Sequence, residues 1–370
     1  MATLRGETVD RVPVSFYEIN GLDEHSDAPD PYNIYTDPSW ARLIALAREK
    51  SDRIVMRGVA FKGAPADPVD ELTTWEVRLE GGSRYTRRTV RAGSRELVSL
   101  VRRDPDVATD WEIEHLLKDV ADLEAWLALP APAFGGEPDV AGVLQAEAAL
   151  GDSGIVMIDT PDPLCLAAAL FDMATFTTIA LTERVWFHRL LERIAATLYP
   201  RTLAVARALP GRLWRIYGPE YASPPFLPPA LFKDYAVRYD TPMVAAIQSS
   251  GGYARIHCHG RLKVILDLIV STGCAGLDPI EPPPQGDVSL AYVRERYGND
   301  LVLFGNLEAS DLENLPTGEF RKKIAQALQE GTSGPGRGFV LMASSCPYGR
   351  RLSDLAYQNY LAMVEMVEKF

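Results

Sequence analysis

Two histidines at i and i+2, His257 and His259, stand in the run Arg255-Ile256-His257-Cys258-His259-Gly260. Alternate residues of a strand point to one face. The spacing therefore aims two imidazoles at one point while Cys258 points away, and Gly260 lets the backbone turn where the strand ends. Imidazoles placed in this way are the donor set of a metal site. A distant thiol, Cys346, follows another apolar run in Met342-Ala343-Ser344-Ser345-Cys346-Pro347 and offers a third donor. Cys258 and Cys274 read as packing residues, the latter in the turn Thr272-Gly273-Cys274-Ala275-Gly276. Four cysteines in 370 residues do not make a disulfide framework.

The elements that must position these groups form a regular series. Short apolar runs bounded by turn signals at 12–17, 53–57, 155–159, 213–217, 253–258, 276–280, 301–305 and 339–343 read as strands. Helical periodicity lies between most of them, at 40–50, 229–249, 262–272, 288–297 and 319–330. This alternation predicts an α/β chain with a (β/α)8 TIM barrel, a doubly wound sheet being the other arrangement it allows. Active sites on a barrel are built at the C-terminal ends of the strands. The polar residues just past the runs are thus expected to converge. Among them Glu220, Asp278, Glu281 and Asn306 are candidates for acid–base, ligand or substrate work, and Glu220 also for a carboxylate ligand. Tyr17, Tyr217, Tyr221 and Tyr348, with Phe226, are candidates for an aromatic substrate wall.

The first half departs from that rhythm. Residues 75–79 and 85–90, joined across Glu80-Gly81-Gly82-Ser83-Arg84, alternate in character and predict a β-hairpin. Acidic, helix-forming sequence follows at 111–129, then a Pro/Gly-rich connector at 129–136. We expect one barrel over 1–370 carrying a hairpin and helical insertion at about 70–135. The composition, 47% hydrophobic and 24% charged, is that of a globular enzyme. A net charge of −12 without a basic stripe argues against nucleic acid as a partner. No apolar run is long enough to span a membrane, and the N-terminus lacks the apolar core of a signal peptide, so the expected location is cytoplasmic. A homodimer is left open.

Several landmarks together carry a resemblance: Gly218-Pro219-Glu220, His257-Cys258-His259-Gly260, Gly276-Leu277-Asp278-Pro279-Ile280-Glu281, Gly305-Asn306-Leu307-Glu308 and Ser345-Cys346-Pro347. From about residue 217 onward the chain resembles the uroporphyrinogen decarboxylase-like superfamily, and within it the zinc-dependent, corrinoid-linked methyltransferases. The resemblance implies a (β/α)8 barrel and a zinc held by a His-x-Cys pair and a later Cys, which fall on His257, His259 and Cys346. His259 stands where that branch has its first cysteine. Two neutral imidazoles and one thiolate leave a more Lewis-acidic metal than two thiolates do, which suits an ether oxygen better than a thiol. The expectation is therefore O-demethylation of a small methoxylated aromatic compound, with the methyl group passing to a cob(I)alamin corrinoid. Asp23-Glu24-His25 begins like a corrinoid-binding motif, but Ala28 replaces its glycine, and the corrinoid is expected on a separate protein. A uroporphyrinogen decarboxylase would bring arginines near its N-terminus, and 14–21 has none. A methylcobalamin:thiol methyltransferase, a zinc hydrolase and a non-catalytic metal- or metabolite-binding barrel are the further alternatives.

Overall fold

The computed structural model describes residues 1–370. Seven parallel strands follow one another in chain order around a curled sheet: Arg53–Arg57, Gly154–Pro161, Leu213–Tyr217, Tyr253–His257, Gly276–Asp278, Val302–Leu307 and Phe339–Ala343. The run at 12–17 closes the circle with one residue rather than a strand. Val14 bridges Leu341 in parallel, Ser15 N donates to Leu341 O at 2.9 Å, and Asp52 N donates to Val14 O at 2.7 Å. Two features stop the ladder from growing. Pro13 has no N–H to give, and the Val14 N–H is taken by the Asp52 carboxylate at 2.8 Å. The chain is thus an eight-unit barrel whose first strand is reduced to a seam.

Strand alternation divides the apolar residues into two groups. Nine buried side chains, among them Leu4, Ile54, Met157, Leu213, Val302, Phe304, Val340 and Met342, fill the lower barrel interior, and Tyr17 completes the set. A far larger cluster of 84 lies between the outer faces of the strands and the surrounding helices. Those helices include Ala41–Lys50, Ala141–Leu150, Arg184–Ala208, Arg238–Ser249, Leu290–Tyr297, Thr317–Gly331 and Asp354–Val367. None is long and apolar enough to cross a membrane.

Between the strands Arg53–Arg57 and Gly154–Pro161 the chain builds a second sheet. It has four antiparallel strands in sequential order, Thr73–Glu80, Ser83–Ala92, Arg95–Arg103 and Asp110–Glu114. The sequence pattern predicts only the first hairpin. Arg95–Arg103 hides its period because the apolar and small residues at its centre run together, and Trp111 belongs to the fourth strand rather than to a helix. Cross-strand partners explain that strand: Asp110 lies opposite Arg103 and Trp111 opposite Arg102, so what reads as acidic helix former is matched by a basic neighbour strand. The helix begins only at Val120, where the Asp119 side chain accepts from Asp122 N. The loop before the fourth strand is tied to the chain end of the barrel, with Ala108 N donating to Tyr348 O and Arg350 N to Asp106 O, both at 2.7 Å.

Candidate functional site

Register within the barrel sets the site. Asp159 is the cross-strand partner of Arg215, and Arg215 of Arg255. One level higher, towards the strand ends, His257 is the partner of Tyr217 on one side and Asp278 on the other. Since every second residue of a strand faces inward, Arg215, Arg255 and His257 point into the same interior as Leu213 below them. The barrel is therefore apolar at its base and charged near its mouth.

Each inward charge has a partner. Arg215 forms a two-pronged pair with Asp159 at 2.6 and 2.9 Å, and its third nitrogen donates to the Tyr17 hydroxyl at 2.5 Å. Arg255, 1% exposed, lies 2.9 Å from Asp278 Oδ1 and stacks on Phe304 with its guanidinium carbon 4.7 Å from the ring centroid. Gly276 makes this stack fit, because a Cβ there would stand 3.1 Å from Phe304 and 3.6 Å from Arg255. Asp278, which no water reaches, also holds His257 Nδ1 at 2.7 Å. Burial alone would push its carboxyl up, yet Arg255 and His257 together hold it down at about 2. Burial pushes the Tyr17 hydroxyl up, and Arg215 only partly opposes this, so Tyr17 stays neutral.

The second histidine is mounted in the same way. Glu281 accepts from His259 Nδ1 and from Gly260 N, each at 2.8 Å. Burial works against a charged imidazole, but the Glu281 bond outweighs it and the His259 pKa is raised. The two rings meet edge to face with centroids 4.6 Å apart. A carboxylate accepts only, so each Nδ1 carries the proton when the ring is neutral, and each Nε2 lone pair is left free. A carboxylate behind each histidine is the usual support of a metal-binding imidazole. His259 opens onto a depression of about 310 Å³ lined by Glu220, Ser223, Phe226, Arg261 and Gln285.

Glu220 sits in the turn Pro219–Ala222, where its carboxylate accepts from Gly218 N at 3.0 Å. The Ser223 hydroxyl bridges the carbonyls of Glu220 and His259 at 2.8 and 3.3 Å, fastening this turn to the histidine strand. Only glycine fits at 218, since φ is 129° and a Cβ would meet Asp162 Oδ1 at 2.1 Å. Tyr17 and Ile280 hold left-handed backbone at φ 59° and 56°, a strain that clusters at functional sites.

The other candidates are placed elsewhere. Cys346 is buried and its thiol contacts Glu18 at 3.5 Å; burial and Glu18 both push its pKa up. No three His, Cys, Asp or Glu side chains stand close enough to enclose a metal ion. The histidine pair thus has the donor chemistry of metal ligands, while Cys346 and Glu220 are engaged with other partners. Asn306 lines a separate cavity of about 130 Å³ with Glu308, whose carboxyl is pushed up to about 7 by burial and by the nearby Glu281 charge. Tyr221 packs edge-on against Phe176. Tyr348 is 52% exposed.

Sequence reasoning passed over Arg215 and Arg255, although each is a lone cation in the middle of an apolar strand. That position is the signal: it forces a charge either into the barrel or into its apolar wrapping, and only the former can be matched by Asp159 and Asp278.

A family model described as uroporphyrinogen decarboxylase (URO-D) matches residues 146–370, more than half of the chain. Among solved structures, a methyltransferase from Methanosarcina mazei is similar over 100% of this chain and 97% of its own, with a TM-score of 0.63 and 18% identity. A D-psicose 3-epimerase in the presence of D-fructose covers 61% of this chain and 83% of its own, with a TM-score of 0.32 and 12% identity. No curated protein matches the sequence. With the strand-end landmarks inside the matched segment, the chain belongs to the uroporphyrinogen decarboxylase (URO-D) family.

Proposed function

We propose that the chain is a zinc-dependent methyltransferase that removes the methyl group of a small methoxylated aromatic compound and passes it to a cob(I)alamin corrinoid carried by a separate protein in the cytoplasm. The observation that carries this reading is the pair of carboxylate-backed histidines at the barrel mouth, each with a free Nε2. Membership of the family supports it, as does the fold shared with a methyltransferase.

His257 and His259 are the residues that would hold the zinc, with Cys346 and Glu220 as the remaining ligands. A ligand role for Cys346 requires its thiol to leave Glu18. When bound there, zinc supplies Lewis acidity to the ether oxygen. The chain itself does the rest. Asp278 and Glu281 fix the tautomer and direction of the two imidazoles. Phe226, in the depression beside His259, offers an apolar surface to an aromatic ring, while Arg261 and Gln285 offer polar contacts. Tyr17, kept neutral and anchored by Arg215, presents a fixed dipole beside His257, its ring centroid 6.2 Å from the imidazole.

A decarboxylase acting on a polyacid needs cations free to meet substrate carboxylates. Both arginines inside this barrel are already matched, Arg215 by Asp159 and Arg255 by Asp278. That observation favours methyl transfer over decarboxylation.

The test is zinc analysis of the purified protein with an assay of methylcobalamin formation from cob(I)alamin and a panel of methoxylated aromatics. About one zinc per chain is expected, lost in His257→Ala while the fold survives, together with transfer from at least one donor. Full zinc retention in His257→Ala would remove the metal assignment. Zinc without transfer from any methoxylated donor would remove the O-demethylase assignment.

A further inference from the structure

A cavity of about 620 Å³ lies between the helix Arg184–Ala208, the strand pair Gly154–Pro161 and Leu213–Tyr217, and two crossing segments at 58–67 and 132–135. That volume accepts a small organic molecule. It opens at the strand ends, where Asp159 and Tyr217 reach it from the barrel side and Ile158 and Trp214 from the outer face. The alternation that turns Arg215 inward to Asp159 turns Trp214 outward, and Trp214 packs in the outer apolar cluster rather than the inner one.

The lining has a distinct chemistry. Phe61 and Phe134 meet edge to face with centroids 5.9 Å apart, and the Arg201 guanidinium carbon lies 4.2 Å from the Phe61 centroid. Arg201 makes no ion pair with a carboxylate, and burial lowers its pKa. Of the two acids on the lining, Asp159 receives both bonds of Arg215, and Asp67 accepts from Val69 N at 2.9 Å. Trp214, 2% exposed, buries its indole N–H with no acceptor. The lining thus offers an unpaired guanidinium and a buried indole N–H beside flat aromatic surface. A neutral aliphatic molecule leaves Arg201 unpaired.

We propose that this cavity binds a small aromatic carboxylate, with the carboxylate on Arg201 and the ring against Phe61 and Phe134. Neither histidine lines this cavity, and the proposal does not rest on methyl transfer.

The probe is 2-naphthoate, which has no methyl group to give, titrated against the full-length protein by fluorescence alongside its uncharged analogue 2-naphthylmethanol. A charge-assisted contact predicts at least roughly tenfold tighter binding of the acid than of the alcohol. Arg201→Leu should remove that preference, and His257→Ala should leave it intact. Equal affinity for acid and alcohol, absence of saturable naphthoate binding, or an unchanged preference in Arg201→Leu would each overturn the proposal. The acid-versus-alcohol comparison on the unaltered protein stands even if Arg201→Leu fails to fold. Naphthoate binding without zinc or methyl transfer would overturn only the proposed function.

Discussion

Replacing Asp278 by alanine is expected to lower the unfolding free energy by about 3–5 kcal/mol, the cost of leaving a buried charge without its partner. Asp278 faces Arg255 on one oxygen and His257 on the other, and neither it nor Arg255 is open to water. Arg255 already has little else: its Nε and one terminal nitrogen have no hydrogen-bond acceptor in good alignment, and its remaining support is the face of Phe304. Taking away the carboxylate strands a guanidinium in the centre of the barrel. Removing both charges should cost far less, so Arg255→Met with Asp278→Leu is expected to recover much of the loss. Urea unfolding followed by circular dichroism measures all three. A drop of less than about 1 kcal/mol in Asp278→Ala, on the scale of an exposed pair, would mean that water reaches Arg255 after all. The same substitution frees the His257 ring to rotate and change tautomer, and at the proposed zinc site a roughly 10- to 100-fold loss of zinc affinity should accompany it.

How far the sequence reveals this molecule depends on whether local pattern or tertiary pairing decides. The strands at 53–57, 213–217 and 339–343 coincide with Arg53–Arg57, Leu213–Tyr217 and Phe339–Ala343, because parallel barrel strands are buried on both faces and read as short apolar runs. The fourth strand of the second sheet was hidden because Trp111 and its acidic neighbours gain strand character only from the arginine-bearing strand beside them. At the site, the i, i+2 spacing of His257 and His259 is local and legible, and so is the turn at Gly260. Their carboxylate partners lie 21 and 22 positions away. The sequence shows Asp278 and Glu281 as polar residues at a strand end, but not that they face the imidazoles. The placement of Cys346 against Glu18 is a contact across the barrel seam, and nothing in the apolar run before Cys346 encodes it.

A pair of carboxyls that the spacing gives no hint of should govern how the fold responds to pH. Asp162 caps the helix Pro163–Ala168, accepting from Cys165 N at 2.5 Å, and its carboxyl faces that of Asp240 in the helix Arg238–Ser249 closely enough for one proton to bridge them. Both are buried, and neither Asp162 Oδ2 nor Asp240 Oδ1 receives a hydrogen from another group. One of the two must keep a proton for the pair to persist. Burial, each other's charge and Glu220 push Asp162 up strongly; burial pushes Asp240 up to about 8, against the pull of its bond from Asp162. The sign follows from linkage. The unfolded chain binds the Asp240 proton only below about pH 4, whereas the folded chain holds it up to about pH 8, so the stability it contributes is complete below pH 4 and is lost as pH rises through 8. Each unit of raised pKa is worth about 1.4 kcal/mol, which makes this one of the larger pH effects in the molecule. Glu308, pushed up to about 7, adds a fall of the same sign, and a substitution separates the two. Asp240→Asn can donate an amide hydrogen to Asp162 and needs no shared proton. Its unfolding free energy, measured in urea at intervals from pH 5 to pH 9, is expected to fall less steeply than that of the unaltered chain and to gain on it by a few kcal/mol across the range. Parallel curves would show that the two carboxyls titrate independently of folding, and the shared proton would have to be abandoned.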